Sequence, residues 1–199
     1  MSEKPWDARL AYRLVYPFRN TALTPNHLTT VRLLLGIAAC LAFSLGGYFW
    51  TNTGAGLFCL SNFFDHTDGE FARITGKISQ SGHKYDLICD AVVNILLFIG
   101  IGIGLIHTDL GMYALFMGCL AGIAVAAIFH MRHEIEQTIG KEQARQPNIG
   151  AMEAEDVLYL LPVITLSGQL VPFLMLATTG APLFALWVLR KHHILKPGH

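Results

Sequence analysis

The sequence predicts an all-α integral membrane protein: six transmembrane helices, a short N-terminal interfacial helix, and both termini on the cytoplasmic side. Three observations predict it. Charged residues make up 14% of the 199 residues, where about 25% is usual in a soluble domain. Four stretches, 33–64, 91–108, 110–129 and 157–189, contain no Asp, Glu, Lys or Arg. The basic residues, finally, all collect on one side of the spans those stretches define. Mean hydropathy is +0.45. Lys+Arg and Asp+Glu balance at 14 each, so the basic excess of a nucleic-acid binder is missing. Cys40, Cys59, Cys89 and Cys119 are widely spaced with no C-x-x-C pair, which excludes a disulfide framework and a zinc site.

A hydrocarbon core about 30 Å thick takes about 20 helical residues. Stretches 91–108 and 110–129 suit one span each. The other two are too long for one crossing, and each holds a turn signal: Thr51-Asn52-Thr53-Gly54 in the first, Ser167-Gly168-Gln169 before Pro172 in the second. The expected spans are 28–50, 54–73, 86–107, 111–130, 154–170 and 172–190. The connections near 50–54, 107–111 and 168–172 carry no Lys or Arg, and the positive-inside rule turns the other side to the cytoplasm. The organisation is a juxtamembrane segment 1–27, a six-helix domain 28–191 and a tail 192–199. Residues 1–27 lack a continuous apolar segment and an A-x-A-like site, unlike a cleavable signal peptide. Trp6, Leu10 and Leu14, beside Arg9 and Arg13, give an amphipathic helix for the membrane interface. No internal repeat or low-complexity tract is visible.

The span arithmetic buries charge. Carrying the second span from Gly54 to Arg73 makes Asp65 part of it, about 12 Å of rise from Arg73. The third span must begin near Gly82–Asp86, which takes in Asp86 and Asp90. Asp65 and Asp68 are i,i+3, and Asp86 and Asp90 are i,i+4, so each pair shares a helix face. The short connection 74–81 makes the two helices neighbours. An unpaired carboxylate at mid-span costs about 2.5–3.5 kcal/mol on insertion scales. Divalent metal is the simplest compensation, and all-oxygen ligands select Mg²⁺ or Mn²⁺. Such a cluster favours pyrophosphate, whose oxygens these metals bridge. Gly69 and Ala72, on the Asp65 stripe, let a ligand approach the backbone closely.

The string Asp65-x2-Asp68-Gly69-x2-Ala72-Arg73-x8-Gly82-x3-Asp86-x3-Asp90 resembles the signature of the CDP-alcohol phosphatidyltransferases. Thr24-Pro25-Asn26-His27-Leu28-Thr29-x2-Arg32 is similar to the start of that family's first span. The resemblance covers residues 20–110 well and the remainder in outline. It implies transfer of a substituted phosphate, phosphatidyl in the leading reading, from a CDP-linked lipid or alcohol donor to an alcohol acceptor. CMP is released, in phospholipid biosynthesis, by a homodimer at the cytoplasmic membrane. It also implies roles. Asp65 and Asp86 would bridge two metal ions, Asp68 would complete one site and Asp90 would contribute to the other. Asp90 would also be the general base. Gly69, Ala72 and Arg73 would meet the donor, and Asn26, Thr29 and Ser79 match positions lining the CDP site.

The acceptor side is expected at the cytoplasmic ends of the later spans and the loop 131–156. Arg132, His133 and Glu155 are the candidates there, beside His130, Arg145, Glu153 and Asp156. The acidic run Glu153-x-Glu155-Asp156 speaks against a phosphorylated acceptor and for an amine-bearing or neutral alcohol. Gly82-His83-Lys84-Tyr85-Asp86 departs from the family's usual small or apolar residues. Gly100-xxx-Gly104 and Gly118-xxx-Gly122 are small-residue packing faces, within a monomer or across a dimer. Two other readings use intramembrane aspartates: a prenyltransferase-like diphosphate enzyme and a divalent-cation transporter. The first normally separates its motifs widely; the second leaves Gly69, Ala72, Arg73 and Gly82 unexplained.

Overall fold

A computed structural model describes residues 6–139 and 156–195, and every regular element among them is helical. In chain order these are α1 (Trp6–Val15), a 3₁₀ turn at Tyr16–Phe18, α2 (Pro25–Leu45) and α3 (Gly47–Thr75). They continue with α4 (Gln80–Gly104), α5 (Tyr113–Ile139), α6 (Asp156–Tyr159), α7 (Leu161–Leu166) and α8 (Leu170–Leu195). Four helices are long and apolar enough to cross a bilayer: Pro25–Leu45, Gln80–Gly104, Tyr113–Ile135 and Leu170–Arg190. They match the expected first, third, fourth and sixth spans. The other two differ. α3 runs for 29 residues but carries Asp65, Asp68, Glu70 and Arg73 in its second half. The expected span 154–170 is interrupted at Leu160, between α6 and α7, with Pro162 following; α7 begins there, its Ile164 N–H bonding the Leu160 carbonyl (3.0 Å).

One turn lies elsewhere than the sequence suggests. The chain reverses at Gly46-Gly47, with φ +67 and +74, a conformation that favours glycine. Thr51–Gly54 is the second turn of α3 instead. Its polar side chains return to the helix backbone: Thr51 Oγ1 donates to the Gly47 carbonyl (2.9 Å), Asn52 Nδ2 to Tyr48 (2.7 Å) and Thr53 Oγ1 to Phe49 (2.9 Å). A helix absorbs such residues when their hydrogen bonds close locally. The turn at Gly168, φ +69, falls where expected. α2 starts on Thr24-Pro25, with the Thr24 N–H donating to His27 Nδ1 (3.3 Å), and α4 starts on Ser79, whose Oγ accepts the Gly82 N–H (3.0 Å).

α2 is the hub. Both α3 and α4 pack along it and touch each other little, which corrects the expectation that α3 and α4 are direct neighbours. α5 packs on α4, and α8 on α5, while α1 and α7 lie against α3. Val15 of α1 is buried with Leu28 and Phe71, whereas Leu10 and Leu14 are exposed, as suits a helix in the interface. The main core gathers Phe43, Phe58, Leu97, Phe98 and Ile101. Outside it, Leu34, Leu41, Phe116, Leu176 and Leu183 are exposed, an apolar surface that a bilayer covers.

Glycines set the helix spacing. A Cβ at Gly100 would lie 2.6 Å from the Cys40 carbonyl oxygen, and one at Gly104 2.1 Å from that of Phe43. A Cβ at Gly118 would meet the Phe98 oxygen at 2.3 Å, and one at Gly122 would meet Ile95 backbone at 3.1 Å. The first pair therefore seats α4 on α2 and the second seats α5 on α4. Both faces are spent within one chain. Gly104→Val and Gly118→Val are expected to destabilise by about 1–3 kcal/mol each, as overpacking does. Gly56→Ala, whose Cβ meets nothing within 4 Å, should leave the melting temperature of the detergent-solubilised protein unchanged. Equal melting of all three variants would contradict this packing.

Candidate active site

Three helices meet at one depth. α3 brings Asp65 and Asp68, α4 brings Asp86 and Asp90, and α2 brings Arg32 between them. Ligand oxygens of Asp65, Asp68 and Asp86 lie within 4.8 Å of one another. Arg32 Nη1 reaches Asp65 Oδ1 (2.6 Å) and Asp86 Oδ1 (3.1 Å), and Nη2 reaches Asp90 Oδ1 (2.6 Å). The guanidinium fork suits this multiple pairing, which an ammonium could not reproduce. Arg32 is 1% exposed, while the three carboxylates it holds are 29–38% exposed. Arg32 thus forms the floor, and the carboxylate oxygens face the opening.

The remaining bonds fix the acids. Thr29 Oγ1 donates to Asp68 Oδ2 (2.6 Å), and Asn94 Nδ2 to Asp90 Oδ1 (2.9 Å). Ser61 Oγ anchors the Arg32 carbonyl (2.9 Å). One guanidinium cannot balance four ionised carboxylates in a low-dielectric setting. A hard divalent cation fits the deficit, since the donors are all oxygen and converge. Asp65, Asp68 and Asp86 could hold it, with Asp90 alongside.

The sequence-predicted donor residues fall at two places. Asn26 and Ser79 close over Gly82: a Cβ there would stand 2.9 Å from both Asn26 Oδ1 and Ser79 Oγ. Thr30 and Tyr85 link the same helix ends (3.0 Å). Gly69 lies on the open side of α3, where a Cβ would meet only Arg73 Nη2, at 3.9 Å. No described residue requires glycine there, which leaves space beside the helix for a ligand. Ala72 is partly exposed on the same helix. Arg73 does not join the cluster; its side chain is 61% exposed and pairs with buried Glu70. Among the acceptor candidates, His133 Nε2 meets His83 Nε2 (2.8 Å), and Arg132 is half-buried. Glu155, Glu153 and Arg145 lie outside the described residues.

The sequence pattern assigns Arg32 no place in the site. Its position inside an expected span, at the depth of the aspartates, was the available signal. Asn94, Asn62, His66 and Tyr159 were also missed. They line a cavity of about 70 Å³ that includes Arg32, Asp65 and Asp90 in its wall. It draws on α2 to α6, an assembly no linear spacing displays.

Residues 22–189 match the family model of the CDP-alcohol phosphatidyltransferases. The chain belongs to this family. It is by that assignment a phosphatidyltransferase of phospholipid biosynthesis in a multi-pass membrane fold, which displaces the prenyltransferase and transporter readings. The same fold recurs in Mycobacterium tuberculosis phosphatidylinositol phosphate synthase (PgsA1) with CDP-DAG bound. That structure has a TM-score of 0.61 and 18% identity, over 93% of this chain and 94% of that one. The same enzyme in complex with manganese and citrate has a TM-score of 0.59 and 20% identity, over 92% of this chain and 83% of that one. At such identity the likeness is one of fold. No curated protein matches the sequence.

Removing Arg32 should expose the imbalance. Arg32→Met leaves three carboxylates without their shared partner, a change that costs about 3–5 kcal/mol for a fully buried pair and less here, where the acids are about a third exposed. The melting temperature without divalent metal should fall, and Mn²⁺ should raise it more in Arg32→Met than in the wild type. An unchanged melting temperature would show that Arg32 is no structural counter-charge.

Proposed function

We propose that the protein transfers a phosphatidyl group from a CDP-linked lipid such as CDP-diacylglycerol to an alcohol, releasing CMP. The convergence of Asp65, Asp68 and Asp86 to within 4.8 Å, with Asp90 beside them on Arg32, carries this reading. The four aspartates are the residues that would hold Mg²⁺ or Mn²⁺, two ions per site in the family's pattern. When bound, these ions neutralise pyrophosphate oxygens and stabilise the departing CMP.

The chain's own residues supply the rest. Asp90 accepts the proton of the acceptor hydroxyl, a poor nucleophile until a positioned base takes it. The hydroxyl oxygen forms a bond to the lipid-bearing phosphorus, the pyrophosphate P–O bond breaks, and CMP leaves with the electron pair. Thr29 holds Asp68 in place, and Arg32 holds Asp90 and Asp65. Asn26, Ser79, Gly69 and Ala72 border the donor, with Arg73 at its outer edge. The domain 28–191 does this work with α3 and the broken α6–α7 segment completing six crossings. Both termini and the site face the cytoplasm, in a homodimer at the cytoplasmic membrane; the one-sided Lys and Arg distribution supports this orientation. CDP-DAG is named in the complex of the structural relative, and manganese in the other, which supports the choice of donor and metal.

CMP release by purified protein in detergent, with CDP-diacylglycerol, Mn²⁺ and a panel of alcohols, tests this. It should depend on both the alcohol and the metal, stop with EDTA, and fall about 10²–10⁴-fold in Asp90→Asn, the range a general base contributes. Undiminished release in Asp90→Asn would remove the base from its role. Absence of release with every alcohol, from protein that still binds Mn²⁺, would overturn the transfer.

A further inference from the structure

The cavity beside Asp90 shares Asp65 and Asp90 with the proposed metal site but extends away from the proposed donor residues. Asn26, Ser79 and Gly82 lie toward the start of α4, whereas the cavity extends past Asp90 to Asn94, one turn deeper. At about 70 Å³ it has room for about five to seven waters at 10–15 Å³ each, the scale of a short alcohol. Phe129 and Leu158 supply apolar walls, and Asn62, His66, Asn94 and Tyr159 supply hydrogen-bonding groups.

Its charge is set. Arg32 is the one Lys or Arg among the described lining residues, and its two terminal nitrogens are already shared among Asp65, Asp86 and Asp90. A phosphate on the acceptor would meet Asp65 and Asp90 with no second Lys or Arg among the described lining residues. A hydroxyl or an ammonium meets acceptor oxygens instead.

Asn94 is the decisive residue. It is 3% exposed, lines the cavity, and its Nδ2 donates both to Asp90 Oδ1 (2.9 Å) and to the Asp90 carbonyl (3.0 Å). The opposite amide orientation would set two oxygens against each other, so this one is chemically fixed. Asn94 Oδ1 is then shielded from solvent with no hydrogen-bond partner among the described residues. A buried acceptor is rarely left so; it awaits a donor.

We propose that this cavity is the acceptor site, that Asn94 positions Asp90 through Nδ2 and receives an O–H or N–H of the acceptor at Oδ1, and that the acceptor is a short polyol or amino alcohol carrying no phosphate. This rests on the phosphatidyl-transfer reading. It places the acceptor deeper than the expected residues Arg132 and His133, neither of which lines the cavity.

The test measures CMP release with Mn²⁺, CDP-diacylglycerol and paired acceptors: glycerol against glycerol 3-phosphate, inositol against inositol phosphate, and serine and ethanolamine. Titration calorimetry of the donor analogue CDP with Mn²⁺ runs in parallel. Wild type should use unphosphorylated acceptors at least about tenfold better by kcat/KM. Asn94→Ala should raise acceptor KM and lower kcat, together about 30- to 2,000-fold in kcat/KM, the loss of a hydrogen bond to a charged group and one to the acceptor. CDP binding should stay unchanged, which also shows the variant folded. His66→Arg, at the cavity wall, should shift the ratio toward the phosphorylated partner of each pair. Preference for glycerol 3-phosphate or inositol phosphate in the wild type would overturn the acceptor class. Unchanged acceptor KM and kcat in Asn94→Ala would overturn the position of the site. Loss of CDP binding and of CMP release in the wild type would overturn the transferase reading itself, and this proposal with it.

Discussion

The structure depends on one guanidinium placed between two helices of carboxylates. Arg32 rises from α2 into the gap between α3 and α4 and bonds Asp65, Asp86 and Asp90 at once. A buried arginine without such partners would be strongly destabilising, and the carboxylates without it would repel one another. The arrangement explains why α2 is the hub. α3 and α4 need not touch, because each carries its acids to α2 and the pairing is made there. It also leaves negative charge in excess and facing outward, the condition under which a divalent cation and a diphosphate are held together.

The two sides of Arg32 differ in a way that suits two substrates. Toward the starts of α2 and α4 the groups are Asn26 and Ser79, which close over Gly82, and Thr30 and Tyr85, whose hydroxyls are hydrogen-bonded. Gly69 opens the facing surface of α3. Toward the bundle interior lies the small cavity, with apolar, polar and charged side chains in its wall. Asp90 stands at the junction, touching Arg32 on one side and Asn94 on the other. In the proposed reaction, a base at that junction would reach both an alcohol in the cavity and the phosphorus of a donor over the aspartates.

Much of this was legible in the sequence, for physical reasons. Charge-free stretches locate α2, α4, α5 and α8 because a bilayer tolerates little else, and aspartates at i,i+3 and i,i+4 place each pair on one face. What failed was local or assembled from afar. Thr51–Gly54 reads as a turn by composition, yet Thr and Asn side chains bond back to a helix equally well, and Gly46-Gly47 makes the reversal. The short link after Thr75 suggested that α3 packs on α4, but small residues at Gly36, Gly100 and Gly104 draw α4 onto α2. Arg32 stood in the sequence as a charge inside a span, and only the packing shows whom it serves. The cavity draws its lining from five helices, an assembly no periodicity can reveal.

The most direct measurement is an anomalous difference map from crystals grown with Mn²⁺ and CDP. Peaks among Asp65, Asp68, Asp86 and Asp90, with the CDP phosphates against them and Arg32 still beneath Asp90, are the expected result. Manganese bound away from these aspartates, or CDP seated where none of its phosphates reaches them, would contradict the metal-dependent phosphatidyl-transfer site.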